Sequence, residues 1–242
     1  MHITRPAAAL AVAALLVLAS CGDDDDEPDA TTTTTSSTTS TTVGTSTTTT
    51  EPEAAGQPAI WPAADVVLTS PEEAAGDFVT SVLGVPPTLG EFQQGDARSG
   101  ELEVLSPGEG EAATPVVRSR LLLRQLGPDD GWFVVGAVND NASITEPASG
   151  DEVPAGPLSV RGRARGFEAN VVVSAFVPGD AGVQLDQVVT TGGALETPEP
   201  FSVTLDVSGA SPGDVVALLV RGGTGLETDP GEFSALPVVI AG

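Results

Sequence analysis

Polar and apolar positions divide the chain into stretches of different period. Ala7 to Leu18 is an unbroken apolar run of twelve residues. From Gly22 to about Gln57 apolar residues all but vanish. Further on, Ala74, Ala75, Phe78, Val79 and Val82 recur at helical spacing and predict a helix from Pro71 to about Leu83 with one buried stripe. Ser70-Pro71-Glu72-Glu73 is a capping box at its start, with Ser70 as N-cap, Pro71 at N1 and Glu73 at N3. Gly84 and the pair Pro86-Pro87 stop it. Strands follow at Glu101–Leu105, Val116–Leu126 and Trp132–Val138. The turn residues Gly127-Pro128-Asp129-Asp130-Gly131 make the last two a hairpin. One helix on a small antiparallel sheet is an α+β domain, expected over residues 58–142.

Beyond residue 142 the chain reads as strand after strand. Phe201, Val203, Leu205 and Val207 alternate with polar residues, so one face is buried and the other solvated. Leu158, Val160, Gly162 and Ala164 alternate in the same way. Val171–Val177, Gln184–Thr190, Val215–Arg221, Phe233–Ile240 and an opening strand near Ile144 bring the set to seven. Seven short strands in about 100 residues with frequent turns predict an immunoglobulin-like sandwich over 143–242. The fold class is therefore mainly β: a small α+β domain, then a sandwich, after a disordered stalk.

The run Ile144-Thr-Glu-Pro147, with Gly150, Val153, Pro154 and the core Gly162, Ala164, Phe167, Glu168, Ala169, resembles the immunoglobulin-like domain of bacterial spore-germination proteins. Phe201 opens the "Phe-x-Val" strand expected of that family. The resemblance covers about 95 residues and implies a domain that serves interactions at the cell surface, at the C-terminus of exported lipoproteins. Glu168 is expected to act as a structural carboxylate accepting backbone hydrogen bonds at a strand entry.

The N-terminal apolar run, as a helix, is about 18 Å long, too short for a hydrocarbon core of about 30 Å. With His2 and Arg5 before it, it reads as a signal peptide over 1–20. Leu18-Ala19-Ser20-Cys21 resembles a bacterial lipobox, and Cys21 is the only cysteine. The resemblance implies cleavage before Cys21, lipid on that residue, and anchoring to the extracytoplasmic face of the cell membrane. Residues 21–57 then form an acidic, Thr/Ser-rich stalk: Thr31 to Thr50 holds fourteen Thr and four Ser. Such a tract has no apolar surface to offset the entropy of ordering and is expected to be disordered. Trp61 is expected to pin the end of the stalk to the domain, and Trp132 to be a core anchor beside Phe133 and Val135.

Composition narrows the chemistry. From Cys21 onward eight arginines face 34 acidic residues, a net charge of −26, with no Lys, no Tyr and no His. Histidine bases, Ser-His and Cys-His pairs and lysine Schiff bases are unavailable, so no enzyme activity is expected. Zinc, copper and haem sites lose their usual ligands, and no cofactor is called for. The charge also argues against nucleic acid as a partner. Six arginines fall in two strands at every-second spacing. Arg161, Arg163 and Arg165 share one strand face, as do Arg118, Arg120 and Arg124. Either row could hold an anionic wall polymer or an acidic protein through guanidinium forks. Cross-strand pairing with acids such as Asp206 or Glu103 is the plainer alternative.

These observations predict a non-catalytic cell-surface lipoprotein whose sandwich binds an envelope protein or wall component, with Arg161, Arg163 and Arg165 as its anionic-partner site. Two alternatives stay open. One is a hydrolase using paired carboxylates on an envelope glycan. The other is a calcium-binding adhesion module using Asn139-Asp140-Asn141.

Overall fold

Ser70 starts the helix as its residue types require. Its hydroxyl accepts the Glu73 N–H at 3.1 Å, and α1 runs over Pro71–Phe78, continuing as a π-helical turn over Val79–Leu83. Gly84, at φ 70°, ends it. The reciprocal half of the capping box is displaced by one residue. Glu73 Oε2 accepts the backbone N–H of Thr69 at 2.8 Å and its hydroxyl at 2.9 Å. These two bonds hold the Glu73 carboxyl below its ordinary value of 4.5. A carboxylate whose folded value is depressed adds stability above its ordinary value and loses it as pH falls through the folded one. The wild-type chain is thus expected to lose a small stability increment below about pH 4.5 that Glu73→Gln lacks, read by urea unfolding at neutral and acid pH. Equal acid sensitivity in the two chains would count against it.

The computed structural model describes residues 56–107, 114–194 and 196–242, and only the backbone at 181–183. The predicted signal peptide and the predicted stalk, with Cys21, lie outside the described residues apart from residues 56 and 57. All described residues belong to one unit. The strands are β1 Gln93–Gln94, β2 Ser99–Ser106, β3 Val116–Leu126, β4 Gly131–Val138, β5 Ala142–Glu146, β6 Glu152–Val153, β7 Pro157–Ala164, β8 Asn170–Val177, β9 Asp180–Thr191, β10 Glu199–Asp206, β11 Val215–Gly222 and β12 Phe233–Ile240. All ten strands predicted from the sequence are present. The two additions, β1 and β6, are two residues long, too short to carry a pattern of their own.

The sandwich faces a three-stranded sheet, β10-β7-β5, against β9-β8-β11-β12, with β6 parallel to β12. Two antiparallel sheets in this arrangement are immunoglobulin-like. Between them Val160, Ala164, Val171, Val173, Leu205 and Val220 are buried. The larger sheet does not stop at β12. Ala235 pairs with Ala137, so β12 continues into β4, β3, β2 and β1 of the first segment. Small residues permit the approach: a Cβ added at Gly136 would stand 3.3 Å from the Ala235 carbonyl oxygen.

The helix covers this joined sheet. Phe78, Val79, Leu102, Leu121 and Val134 share one core with Phe176, Leu219 and Phe233 of the sandwich strands. Strand β11 is consequently buried on both faces. Its unbroken apolar run Val215–Val220 is the sequence mark of such a strand, in contrast to the alternation of β10. Trp61, 4% exposed, donates its indole N–H to Asp77 Oδ2 at 2.6 Å. Its neighbour's N–H, that of Ile60, donates to the Val134 carbonyl at 2.9 Å, and the Val134 N–H to the Trp61 carbonyl at 2.8 Å. Trp132 is half-buried, edge-on to Phe92 with centroids 5.4 Å apart.

Candidate functional site

Strand β7 is the central strand of the small sheet and alternates perfectly, every second residue exposed. Its outer face carries Ser159, Arg161 and Arg163, with Ser202 and Thr204 of β10 and Ser143 of β5 alongside in register. Arg161 donates to Glu146 Oε2 at 3.0 Å in an exposed ion pair, 59% and 65% exposed. Asp206 is not its partner. That carboxylate accepts the Ser208 N–H at 2.9 Å, and the bonds from Ser208 lower its pKa. Arg163 donates to the Pro198 carbonyl at 2.7 Å. Arg165 sits past the strand end and behaves differently. Its Nε and Nη2 fork onto both oxygens of Glu232 at 2.7 Å, and Nη1 donates to the Glu196 carbonyl at 3.0 Å. Hydrogen bonding to Glu232 raises its pKa. The predicted row of three is thus two solvent-facing arginines and one that ties three loops together.

The second row is mostly structural. Arg120 lies opposite Glu103 in register but pairs with the diagonal Glu101 at 3.2 Å. Arg118 reaches Asp229 at 2.5 Å. Asp229, 2% exposed, is a buried hub that sequence reading missed. Its carboxylate also accepts the Ser106 hydroxyl at 3.0 Å and the Gly231 N–H at 2.9 Å. Arg221 donates to the Asp229 backbone carbonyl at 3.2 Å and to that of Leu83 at 3.0 Å. Burial lowers the Arg221 pKa, and the Asp229 charge opposes the shift. β2 and β3 therefore meet at one carboxylate, and Arg221 of β11 joins the helix end to the backbone of the same residue. Nothing local in Thr-Asp-Pro-Gly separates this acid from the other 33.

In the Asn139–Asn141 turn the Asn139 side chain is committed to the backbone, and the Asn141 carboxamide donates to Glu232 Oε1 at 3.0 Å. The Asn139 carboxamide oxygen accepts the N–H groups of Asn141 and Ala142 at 2.6 and 3.1 Å, and its nitrogen donates to the Arg118 carbonyl at 2.8 Å. Among the described residues no group of three His, Cys, Asp or Glu side chains could hold a metal ion. A cleft of about 640 Å³ is lined chiefly by apolar groups such as Pro62, Leu126, Pro128, Phe133 and Pro178. Its one carboxylate, Asp130, is 2.6 Å from Arg98.

The motif residues of the sandwich have physical reasons. Gly162 faces Phe201 across β7 and β10. A Cβ there would meet the Ser143 carbonyl oxygen at 2.0 Å and the Phe201 ring at 2.7 Å. Ala164 is fully buried. Gly162→Ala is expected to lower stability by about 1–3 kcal/mol through overpacking. A chemical-denaturation midpoint within error of wild type would contradict that reading. Glu168 departs from expectation. Phe167 is 45% exposed, and Glu168, at φ 54°, is exposed and takes no hydrogen bond on its carboxylate among the described residues. The left-handed turn, not a buried carboxylate, marks this strand entry.

Residues 141–221 match the family model of the immunoglobulin-like domain of bacterial spore germination. The match runs from the turn before β5 through most of β11. No curated protein and no solved structure matches the chain.

Proposed function

We propose that this chain is a non-catalytic lipoprotein of the cell surface. It is anchored by lipid on Cys21 to the extracytoplasmic face of the cell membrane. Its immunoglobulin-like domain binds an envelope protein or an anionic wall component. The observation that carries the reading is the match of residues 141–221 to an immunoglobulin-like family, over residues that fold as such a sandwich. Arg161 and Arg163 supply the cationic part of the surface, because both are exposed on one face among hydroxyl side chains. Arg165 supports that surface rather than forming it, since its fork is occupied by Glu232.

Two measurements test it. The chain expressed in a bacterial host with a lipoprotein pathway is expected to take up labelled fatty acid and partition into detergent, and Cys21→Ser to do neither. Unlabelled wild type would remove the anchor. The Cys21→Ser chain is then incubated with envelope material at low and high salt, alongside a form that also carries Arg161→Ser and Arg163→Ser. Salt-sensitive capture lost in the arginine variant supports the strip and an acidic partner. Capture indifferent to both moves the site elsewhere on the sandwich. No capture at all overturns the binding reading.

A further inference from the structure

One end of the sandwich, where the β7–β8, β9–β10 and β11–β12 connections meet, is held by backbone packing. The Phe167 N–H donates to the Gly223 carbonyl at 2.7 Å, the Gly166 N–H to Gly193 at 3.0 Å and the Gly192 N–H to Ala169 at 2.9 Å. Glycines make this closeness attainable. A Cβ at Gly166 would stand 2.2 Å from the Asn170 carbonyl oxygen, and one at Gly222 would stand 1.9 Å from that of Arg165.

On this braced end sit two apolar side chains in the open. Phe167 is 45% exposed and Leu226, on the neighbouring loop, 44%. The Phe167 ring lies against Gly225, where an added Cβ would be 3.3 Å from it. The two residues after Phe167, Glu168 and Ala169, both hold left-handed backbone, φ 54° and 60°. L residues avoid that region, and consecutive examples persist only where surrounding structure imposes them. The exposed charges of the three loops have one sign: Glu168, Glu196 and Glu227, one on each loop, are exposed, whereas Arg165 of the same end is half-buried and forked onto Glu232.

We propose that this end docks into a protein partner through an apolar pocket edged by Lys or Arg. The apolar pair requires the pocket, and the three glutamates require the basic edge. The same glutamates disfavour anionic lipid and anionic wall polymer. Bracing in advance lowers the ordering cost of docking. The inference rests on the binding-module reading and chooses protein over polymer within it.

The test places photoreactive p-benzoylphenylalanine at Phe167 or Leu226 of the full-length chain in its own cells. Val117, 45% exposed on β3, is the control position. The expected result is an adduct with one and the same protein from both tip positions and none from position 117. Its cross-linked peptide should contain Lys or Arg. Glu168→Lys with Glu227→Lys should cut the yield at least about tenfold while thermal unfolding is unchanged. Adducts to lipid alone, the same adducts from position 117, or no adduct would each overturn it. If envelope capture holds while the tip gives no adduct, the tip falls and the binding module stands. If both fail, both readings fall.

Discussion

Asp229→Ala is expected to lower the unfolding free energy by about 3 kcal/mol, the low end of what breaking a buried ion pair costs. The low end applies because Arg118 keeps 21% of its side chain exposed and can recover some solvent. Three groups lose their acceptor together: the Arg118 guanidinium, the Ser106 hydroxyl and the Gly231 N–H. Arg221, partly buried nearby, loses the opposing charge that offsets its desolvation. Asp229→Asn separates the contributions, since it keeps an oxygen acceptor but not the charge. Urea unfolding of the Cys21→Ser chain and the two variants gives both numbers. An Ala variant within about 1 kcal/mol of its parent would show that the hub is not holding the elements together.

Phe233→Ala should cost about 3–5 kcal/mol, the range for emptying a buried phenylalanine site. Phe233 is fully buried, with its ring centroid 6.3 Å from that of Phe78. One ring belongs to β12 of the sandwich and the other to α1, so the cavity opens where the two segments share a core. A single unfolding transition, moved to lower denaturant with its slope kept, is the expected form. Two resolved transitions would mean that helix and sandwich unfold independently. Phe78→Ala should couple with Phe233→Ala instead of adding to it, because the two side chains touch the same space.

The strands were legible because each carries its own pattern. Val116–Leu126 is predicted and found with the same ends, and the capping residues around Ser70 place the helix start correctly. What was not legible is long-range. The pairing of Ala137 with Ala235 joins residues 98 positions apart, and small side chains alone do not announce a neighbour. Asp229 is one acid among 34, singled out only when Ser106 of β2, Arg118 of β3 and Arg221 of β11 meet at it. Arg165 keeps step with Arg161 and Arg163 in sequence, yet it lies past the end of β7, where the alternation no longer fixes its direction. Val215–Arg221 counts in the sequence only as one more sandwich strand, although the unbroken apolar run Val215–Val220 fits a strand covered on both sides.

The clasp around Trp61 also sets a route for mechanical load. Tension arriving from the N-terminal side meets Ile60 and Trp61, bonded to Val134 in the body of β4. From there it spreads through the indole bond into α1 and along the shared sheet into β12. A tug therefore reaches a broad hydrogen-bonded surface rather than peeling a free edge. The clasp gives the folded part a fixed point on its N-terminal side, where load enters through backbone bonds and one indole bond.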